Sequence, residues 1–263
     1  RDSSTSRGLG DVYKRQVGCS NIEKEDLVIE IGPGLGTLTK YLLEKAGKVI
    51  CIELDTKMLQ ILEDRFSLYN NFELINNDVL KVDLKNIIKK EKEEGKIKNV
   101  KIVANLPYYI TTPIIMKLLE EELELESITV MIQKEVADRL IATPGEKNTG
   151  AITYSVYYYA DSEAIMEVPN SSFIPEPEVT SKVIKLNIRK EPAVKPKDKE
   201  KMFKIIKYAF MQKRKTLLNS LTNNGVFKNK TQGTEILNSL GIKENVRPEE
   251  LTLEQFEKIS NIL

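Results

Sequence analysis

From Leu27 to Gln133 the chain alternates short, continuous apolar runs with longer stretches whose apolar residues recur every three or four positions. The runs LVIEIG (27–32), KVICIEL (48–54), FELINND (72–78), NVKIVAN (99–105) and SITVMIQ (127–133) read as strands. Between and after them, LTKYLLEKA (38–46), KMLQILEDRF (57–66), LKNIIKKEKEEGK (84–96, a helix and its loop), TPIIMKLLEEE (112–122) and KEVADRLIA (134–142) carry the helical period. Strands alternating with helices predict an α/β fold with a parallel sheet covered on both faces, and runs such as KIVA fit burial on two sides. Further on, AITYSVYYYA (151–160) reads as a helix, and EAIMEVP (163–169) and KVIKLNIRK (182–190) as the last strands. EPAVKPKDKE (191–200) is a Pro/Lys linker and marks a domain boundary. Beyond it, 199–221, 233–240 and 253–262 are helical, with Thr252 and Gln255 placed for a capping box.

The opening RDSSTSRGLGDVYKRQ has no apolar periodicity and reads as a cloning or assembly remnant outside the fold. The predicted organisation is therefore a non-native or disordered leader over 1–16, an α/β domain over 17–190 and a small all-helical domain over 191–263.

Composition narrows the chemistry. The 263 residues include no histidine and two cysteines, Cys19 and Cys51. A histidine proton shuttle, the Ser-His-Asp and Cys-His triads and the common metal sites are excluded, so no metal is expected. No apolar run reaches the roughly 18 residues that span a bilayer, and the expected compartment is reducing and cytoplasmic. The net charge of +1 hides an asymmetry: residues 1–189 carry −5 and residues 190–263 carry +6. Nine Lys/Arg against two acids lie between Lys195 and Lys215. Such a run is either a solvated helix face or a landing strip for a phosphate backbone.

Four strand ends carry candidate chemistry. Gly32, Gly34 and Gly36 follow the first strand in EIGPGLGTLT, where a doubly wound sheet binds nucleotides, although tight turns alone also need glycine. Their G-x-G-x-G spacing is not that of the dinucleotide fingerprint. About 20 residues on, Glu53 in IELD is placed to accept the hydroxyls of a ribose. Asp78, in NND, can accept from an adenine amine and Val79 can pack on the ring; the bland alternative is an Asp that ends a strand in a turn. The fourth strand ends in Asn105-Leu106-Pro107-Tyr108, where the Asn105 amide oxygen and the Leu106 carbonyl can accept from an exocyclic amine and Tyr108 offers a π-face. An adenine amine is a poor nucleophile because its lone pair is delocalised, and two acceptors on its protons favour the nucleophilic geometry.

In order along the chain, EIGPGLGTLT, IELD, NND, NLPYYITTP, MIQKEVADRL (131–140), FIPEPEVTSKV (173–183) and AFMQKRKTL (209–217) closely resemble the KsgA/RsmA family. That family dimethylates adenine amines of small-subunit ribosomal RNA, and the likeness covers roughly residues 25–263. It implies a Rossmann-like class I methyltransferase sheet with a small helical C-terminal domain and S-adenosylmethionine as cofactor, leaving S-adenosylhomocysteine. It also implies transfer of four methyls to two adjacent adenines near the 3′ end of 16S rRNA in a pre-30S particle, and a monomer. Carried over by position, Gly32 falls in the methionine-side loop, Glu53 matches the ribose acid and Asp78 the adenine-side acid. Asn105 matches both a cofactor contact and the amine acceptor. Tyr108 and Phe173 match the aromatics that sandwich the target base, although FIP also suits a core-packing loop. Lys134, Arg139, Lys213, Arg214 and Lys215 are candidate RNA contacts that position the substrate without reading it.

One departure stands out: family members carry a Q-N-F-L-type segment before the first strand, where this chain reads RDSSTSRGLGDVYKRQ. Restoring that segment is expected to tighten cofactor binding. Three other readings compete. A large-subunit methylase of the macrolide-resistance type generally reads NIPY where this chain reads NLPY. A nicotinamide oxidoreductase fits the glycine loop and Glu53 but not Asn105-Leu106-Pro107-Tyr108. A non-catalytic assembly factor is disfavoured by the intact Asn105 and Tyr108.

Overall fold

A computed structural model describes residues 3–263, with side chains from residue 8 onward. In chain order, α1 (Ser3–Cys19) precedes β1 (Asp26–Ile31), α2 (Thr39–Lys45), β2 (Lys48–Glu53), α3 (Thr56–Phe66), β3 (Phe72–Asn76), α4 (Leu84–Glu93), β4 (Asn99–Asn105), α5 (Thr111–Glu120) and β5 (Ser127–Gln133). Then come α6 (Lys134–Ile141), α7 (Ala151–Tyr159), β6 (Ala160–Val168) and β7 (Ser181–Ile188). The remaining helices are α8 (Lys199–Phe210), α9 (Leu217–Asn223), α10 (Lys230–Ser239) and α11 (Leu253–Ile262). The seven strands form one sheet in the order β3-β2-β1-β4-β5-β7-β6. β1 is buried along its whole length and β5 along all but its last residue, as strands covered on both faces must be. The pairs among β1 to β5 are parallel. β7 runs antiparallel to β5, so the sheet is mixed, a point that apolar runs alone do not reveal.

The described chain divides into two compact units, Arg1–Ala137 with Ser162–Ile188, and Asp138–Asp161 with Arg189–Leu263. This corrects the expected boundary at the Pro/Lys linker, because residues 138–161 belong with the C-terminal helices. The reason is packing. Tyr154 and Tyr158 of α7 are buried in one cluster with Ile205 and Ile206 of α8, Leu221 of α9, Phe227 and Phe256. The Tyr154 hydroxyl donates to the carbonyls of Pro248 (3.1 Å) and Leu251 (2.7 Å). The expected helix over 199–221 is broken between Phe210 and Leu217, where Thr216 caps α9 by accepting from the Asn219 amide. The capping box at Thr252 and Gln255 is formed.

The leader also needs correction. Residues 1 and 2, and the side chains of 3–7, lie outside what is described. The rest of the leader is helix α1, and its Tyr13 and Val17 are buried in the core against Val28, Leu42, Val103 and Met131. Leu9, Tyr13 and Val17 recur every four residues, a one-sided stripe that the surrounding Ser, Gly and Arg obscure. The buried Gln16 amide donates to the Ala104 carbonyl at 3.2 Å.

Candidate active site

The strand order reverses between β1 and β4, and in open α/β sheets the crevice at such a switch point receives the ligand. Register decides what reaches it. Ile31 pairs with Ile52 and with Ala104, Glu53 with Asn76, and Asn105 with Met131. Gly32, Glu53, the Asn77-Asp78 turn and Asn105 therefore finish along one edge of the sheet.

All three glycines of the turn have positive φ, +64° at Gly32, +57° at Gly34 and +80° at Gly36, a conformation that side chains resist. Gly32 is tied back to the sheet by its amide, which donates to the Ile52 carbonyl at 2.9 Å. A Cβ at Gly32 or Gly34 would point into open space, as a cradle for a ligand requires. Gly36 differs, because a Cβ there would collide with the Phe66 ring. It is a close-packing glycine at the foot of the turn.

Glu53 is buried, and each of its carboxylate oxygens accepts a backbone amide, Oε1 from Gly34 and Oε2 from Asp55, both at 3.0 Å. The acid is thus locked to the glycine turn. Beneath it lies Glu30, buried in β1, whose Oε1 accepts from the Thr39 hydroxyl and from the Cys51 thiol. Burial pushes the Glu30 carboxyl from 4.5 up to about 7, the Thr39 and Cys51 hydrogen bonds acting against that rise and the Glu53 charge adding to it. The sequence reading missed Glu30, although a lone acid inside the apolar run LVIEIG is a visible signal.

Asp78 is half-buried, and its Oδ1 accepts from the Leu80 amide at 3.0 Å, so it does form the local turn of the bland reading while standing at the edge of the crevice. Val79 is buried beside it. Asn105 is half-buried, but its Oδ1 is shielded from solvent and has no hydrogen-bond partner. An unsatisfied buried acceptor costs about 1–3 kcal/mol and asks for an explanation. The Tyr13 phenol lies beside the Asn105 side chain; burial raises its pKa, and the interaction with Asn105 lowers it. The sequence carries no local sign of this contact, because the Ser, Gly and Arg of α1 obscure its apolar stripe. Leu106 is buried and its amide donates to the Met131 carbonyl at 3.2 Å. Tyr108 stands on the turn beyond, partly exposed, with its hydroxyl 3.0 Å from Ser181 Oγ. Phe173 is half-buried and packs against the core cluster that holds Tyr13 and Val168.

The candidate RNA contacts scatter over both units. Lys134 lies 3.7 Å from Glu167 in an ion pair, and Arg139 is exposed on α6. Lys213, Arg214 and Lys215 are exposed on the turn between α8 and α9. Among the described residues no group of three His, Cys, Asp or Glu could hold a metal ion, and no helix is long and apolar enough to cross a membrane.

The family model for ribosomal RNA adenine dimethylase matches residues 10–263. The chain belongs to that family. It is an S-adenosylmethionine-dependent rRNA adenine methyltransferase. Two curated relatives are each named ribosomal RNA small subunit methyltransferase A. The one from Lachnoclostridium phytofermentans is 46% identical, over 96% of this chain and 87% of its own. The one from Clostridioides difficile is 46% identical, over 93% and 83%. Among solved structures, a dimethyladenosine transferase from Plasmodium falciparum superposes with a TM-score of 0.78 at 27% identity, covering 95% of this chain and 94% of that one. The 23S rRNA methyltransferase ErmE gives 0.72 at 22% identity, over 95% and 96%, a likeness of fold. The residues present fit an adenosyl cofactor. Gly32 and Gly34 leave the space, Glu53 is a fixed carboxylate beside them, and Asn105 holds an acceptor in reserve.

Proposed function

We propose that this chain methylates the N6 amines of two adjacent adenines near the 3′ end of 16S rRNA, in a pre-30S particle, and acts as a monomer. The observation that carries this reading is the unpartnered Oδ1 of Asn105 at the end of β4, one strand from the glycine turn that follows β1. When bound, S-adenosylmethionine supplies a methyl carbon made electrophilic by its sulfonium, and a thioether leaving group. Gly32 and Gly34 admit it closely, and Glu53, Asp78 and Val79 meet its ribose and adenine. Asn105 Oδ1 and the Leu106 carbonyl would accept hydrogen bonds from the two N–H groups of the substrate amine and hold its lone pair toward the methyl carbon. The proton lost by the amine would pass to solvent, so no histidine is needed. Tyr108 and Phe173 hold the flipped base between them, and stacking contributes about 1–3 kcal/mol per base. Lys134, Arg139, Lys213, Arg214 and Lys215 touch phosphates and set the RNA in place.

The choice of the small subunit over the large one is supported by the two relatives at 46% identity and by NLPY at 105–108. The test is to incubate the protein with labelled S-adenosylmethionine and unmethylated small or large subunits, then map the modified nucleotides. Label in two adjacent adenines of the small subunit is expected; label in the large subunit overturns the reading. Asn105→Ala is expected to lower the transfer rate about a hundredfold, since preorganised polar groups at a reacting centre typically contribute that much. Incorporation at the parent rate would remove Asn105 from the mechanism.

A further inference from the structure

The hydroxyl of Tyr108 and Oγ of Ser181 lie 3.0 Å apart. Ser181 is the first residue of β7, 2% exposed, and pairs with Gln133 at the end of β5. The residue before it, Thr180, accepts the Lys134 amide on its carbonyl at 2.9 Å. Ser181 is thus fixed by the β5 side of the sheet. Tyr108 is not. It lies on the turn between β4 and α5 and is 38% exposed, and its neighbour Tyr109 is 84% exposed. A tyrosine ring on an exposed turn retains rotation about χ1 and χ2, and a hydrogen bond at its far tip, from a group that cannot move, removes most of that freedom. Tyr108 would otherwise bond to water, but Ser181 is buried, so losing the Tyr108 hydroxyl leaves the Ser181 hydroxyl unpaired and lowers stability as well. For the reaction, what the bond changes is the direction of the ring face.

We propose that Ser181 is a positioning residue for methyl transfer: through the Tyr108 hydroxyl it fixes the ring plane on which the target base stacks. This rests on the reading of Tyr108 as a base platform. The loop that carries Phe173 runs directly into Ser181, so the same strand end anchors the Phe173 loop and orients Tyr108. Both rings of the clamp are referenced to one fixed point, and a tether of this kind acts on the orientation of the base rather than on the cofactor.

The test measures kcat and KM for methyl incorporation into unmethylated small subunits, together with S-adenosylmethionine affinity by calorimetry and Tm. The proteins are the parent, Ser181→Ala, Tyr108→Phe, the double variant and Tyr108→Ala. Ser181→Ala and Tyr108→Phe are each expected to lower kcat about five- to tenfold, the effect of one hydrogen bond. The double variant is expected to lose no more kcat than either alone, while cofactor affinity stays at the parent value. Tm falls in Tyr108→Phe, which strands the buried Ser181 hydroxyl, and returns toward the parent in the double variant. Tyr108→Phe breaks the bond from its exposed side and keeps the ring, so it decides the matter even if Ser181→Ala fails to fold. An unchanged kcat in Tyr108→Phe, or losses that multiply in the double variant, would overturn the proposal. Tyr108→Ala separates the two layers. If it transfers methyl at the parent rate, the stacking role has failed and the tether with it. If it is inactive while Tyr108→Phe matches the parent, the tether alone is refuted.

Discussion

Glu53, at the end of β2, closes both carboxylate oxygens on backbone amides, whereas Asn105, at the end of β4, leaves its Oδ1 without a partner. The same contrast runs through the neighbouring residues. On the glycine-turn side, Gly32 is bonded to β2 and Glu30 is held by Thr39 and Cys51. On the β4 side, Tyr108 and Tyr109 are exposed and Phe173 is only half-buried. One half of the site is finished by the fold, and the other keeps one acceptor and its ring faces unused. In the proposed reading the difference follows from the ligands. A cofactor arrives as one compact molecule and can be met by preformed backbone. A base arrives flipped out of an RNA and must supply the missing donors itself. The buried Asn105 acceptor then stops being a cost at the moment the amine arrives, which favours the bound state over the empty one.

If the glycine side is truly finished by the fold, its glycines should divide into one that stability needs and one that binding needs. Gly36→Ala puts a methyl into the Phe66 ring at a φ of +80°, and the overpacking and strain together are expected to cost about 3–4 kcal/mol. Gly34→Ala meets open space, so only the strain of its positive φ remains, about 1 kcal/mol. Its main loss should be in cofactor affinity. Denaturant unfolding and calorimetric titration of the two variants check this. Equal stability losses, or a Gly34→Ala protein that binds S-adenosylmethionine like the parent, would erase the distinction.

Next in size is the buried acid beneath the turn. The folded state keeps the Glu30 proton up to about pH 7, whereas the unfolded chain releases it near 4.5. A carboxyl whose folded pKa is raised favours folding fully below the unfolded value, and that contribution is lost as pH rises through the folded value. From Glu30 alone, stability is therefore expected to fall between about pH 4.5 and pH 7 and to level off above. The shift corresponds to roughly 3 kcal/mol across that window. Glu30→Gln keeps the acceptor for Thr39 and cannot ionise. Its stability should match the parent near pH 4.5 and exceed it above pH 7, and parallel curves for the two proteins from pH 4 to 8 would show that Glu30 does not titrate in this window.

The sequence was unevenly legible for physical reasons. β1, β2, β4 and β5 could be read because a strand buried on both faces must be written as a continuous apolar run, whereas the edge strand β3 is only partly buried and was read from Phe72, Leu74 and Ile75. Gly32, Glu53 and Asn105 followed from where the buried runs stop. What failed was non-local. The antiparallel entry of β7 depends on pairing Ser127 with Asn187, which no local pattern encodes. The transfer of 138–161 to the second unit depends on Tyr154 meeting Phe256. Helix α1 was dismissed because its stripe of Leu9, Tyr13 and Val17 is one residue wide. The Tyr108–Ser181 contact spans 73 positions and joins two polar groups, so no hydrophobic period could announce it.

Phe173 is where the comparison is least sharp, and it yields the smallest expected effect. Its ring packs against the core cluster that includes Tyr13 and Val168, which suits a packing loop, yet it lies on the loop that ends at Ser181, the tether of Tyr108. Phe173→Leu separates the two roles, because leucine nearly preserves apolar volume and removes the π-face. A purely packing residue should lose about 1 kcal/mol of stability or less and leave kcat unchanged. A base-stacking residue should show that same small loss of stability together with a fall in kcat/KM for small subunits of about tenfold, in line with the worth of one stacked base. The second outcome is expected. It would place Phe173 in both halves at once, anchored in the finished core by one edge of its ring and offering the other to the substrate. A parent-like kcat/KM in Phe173→Leu would return it to the core and leave Tyr108 as the single platform.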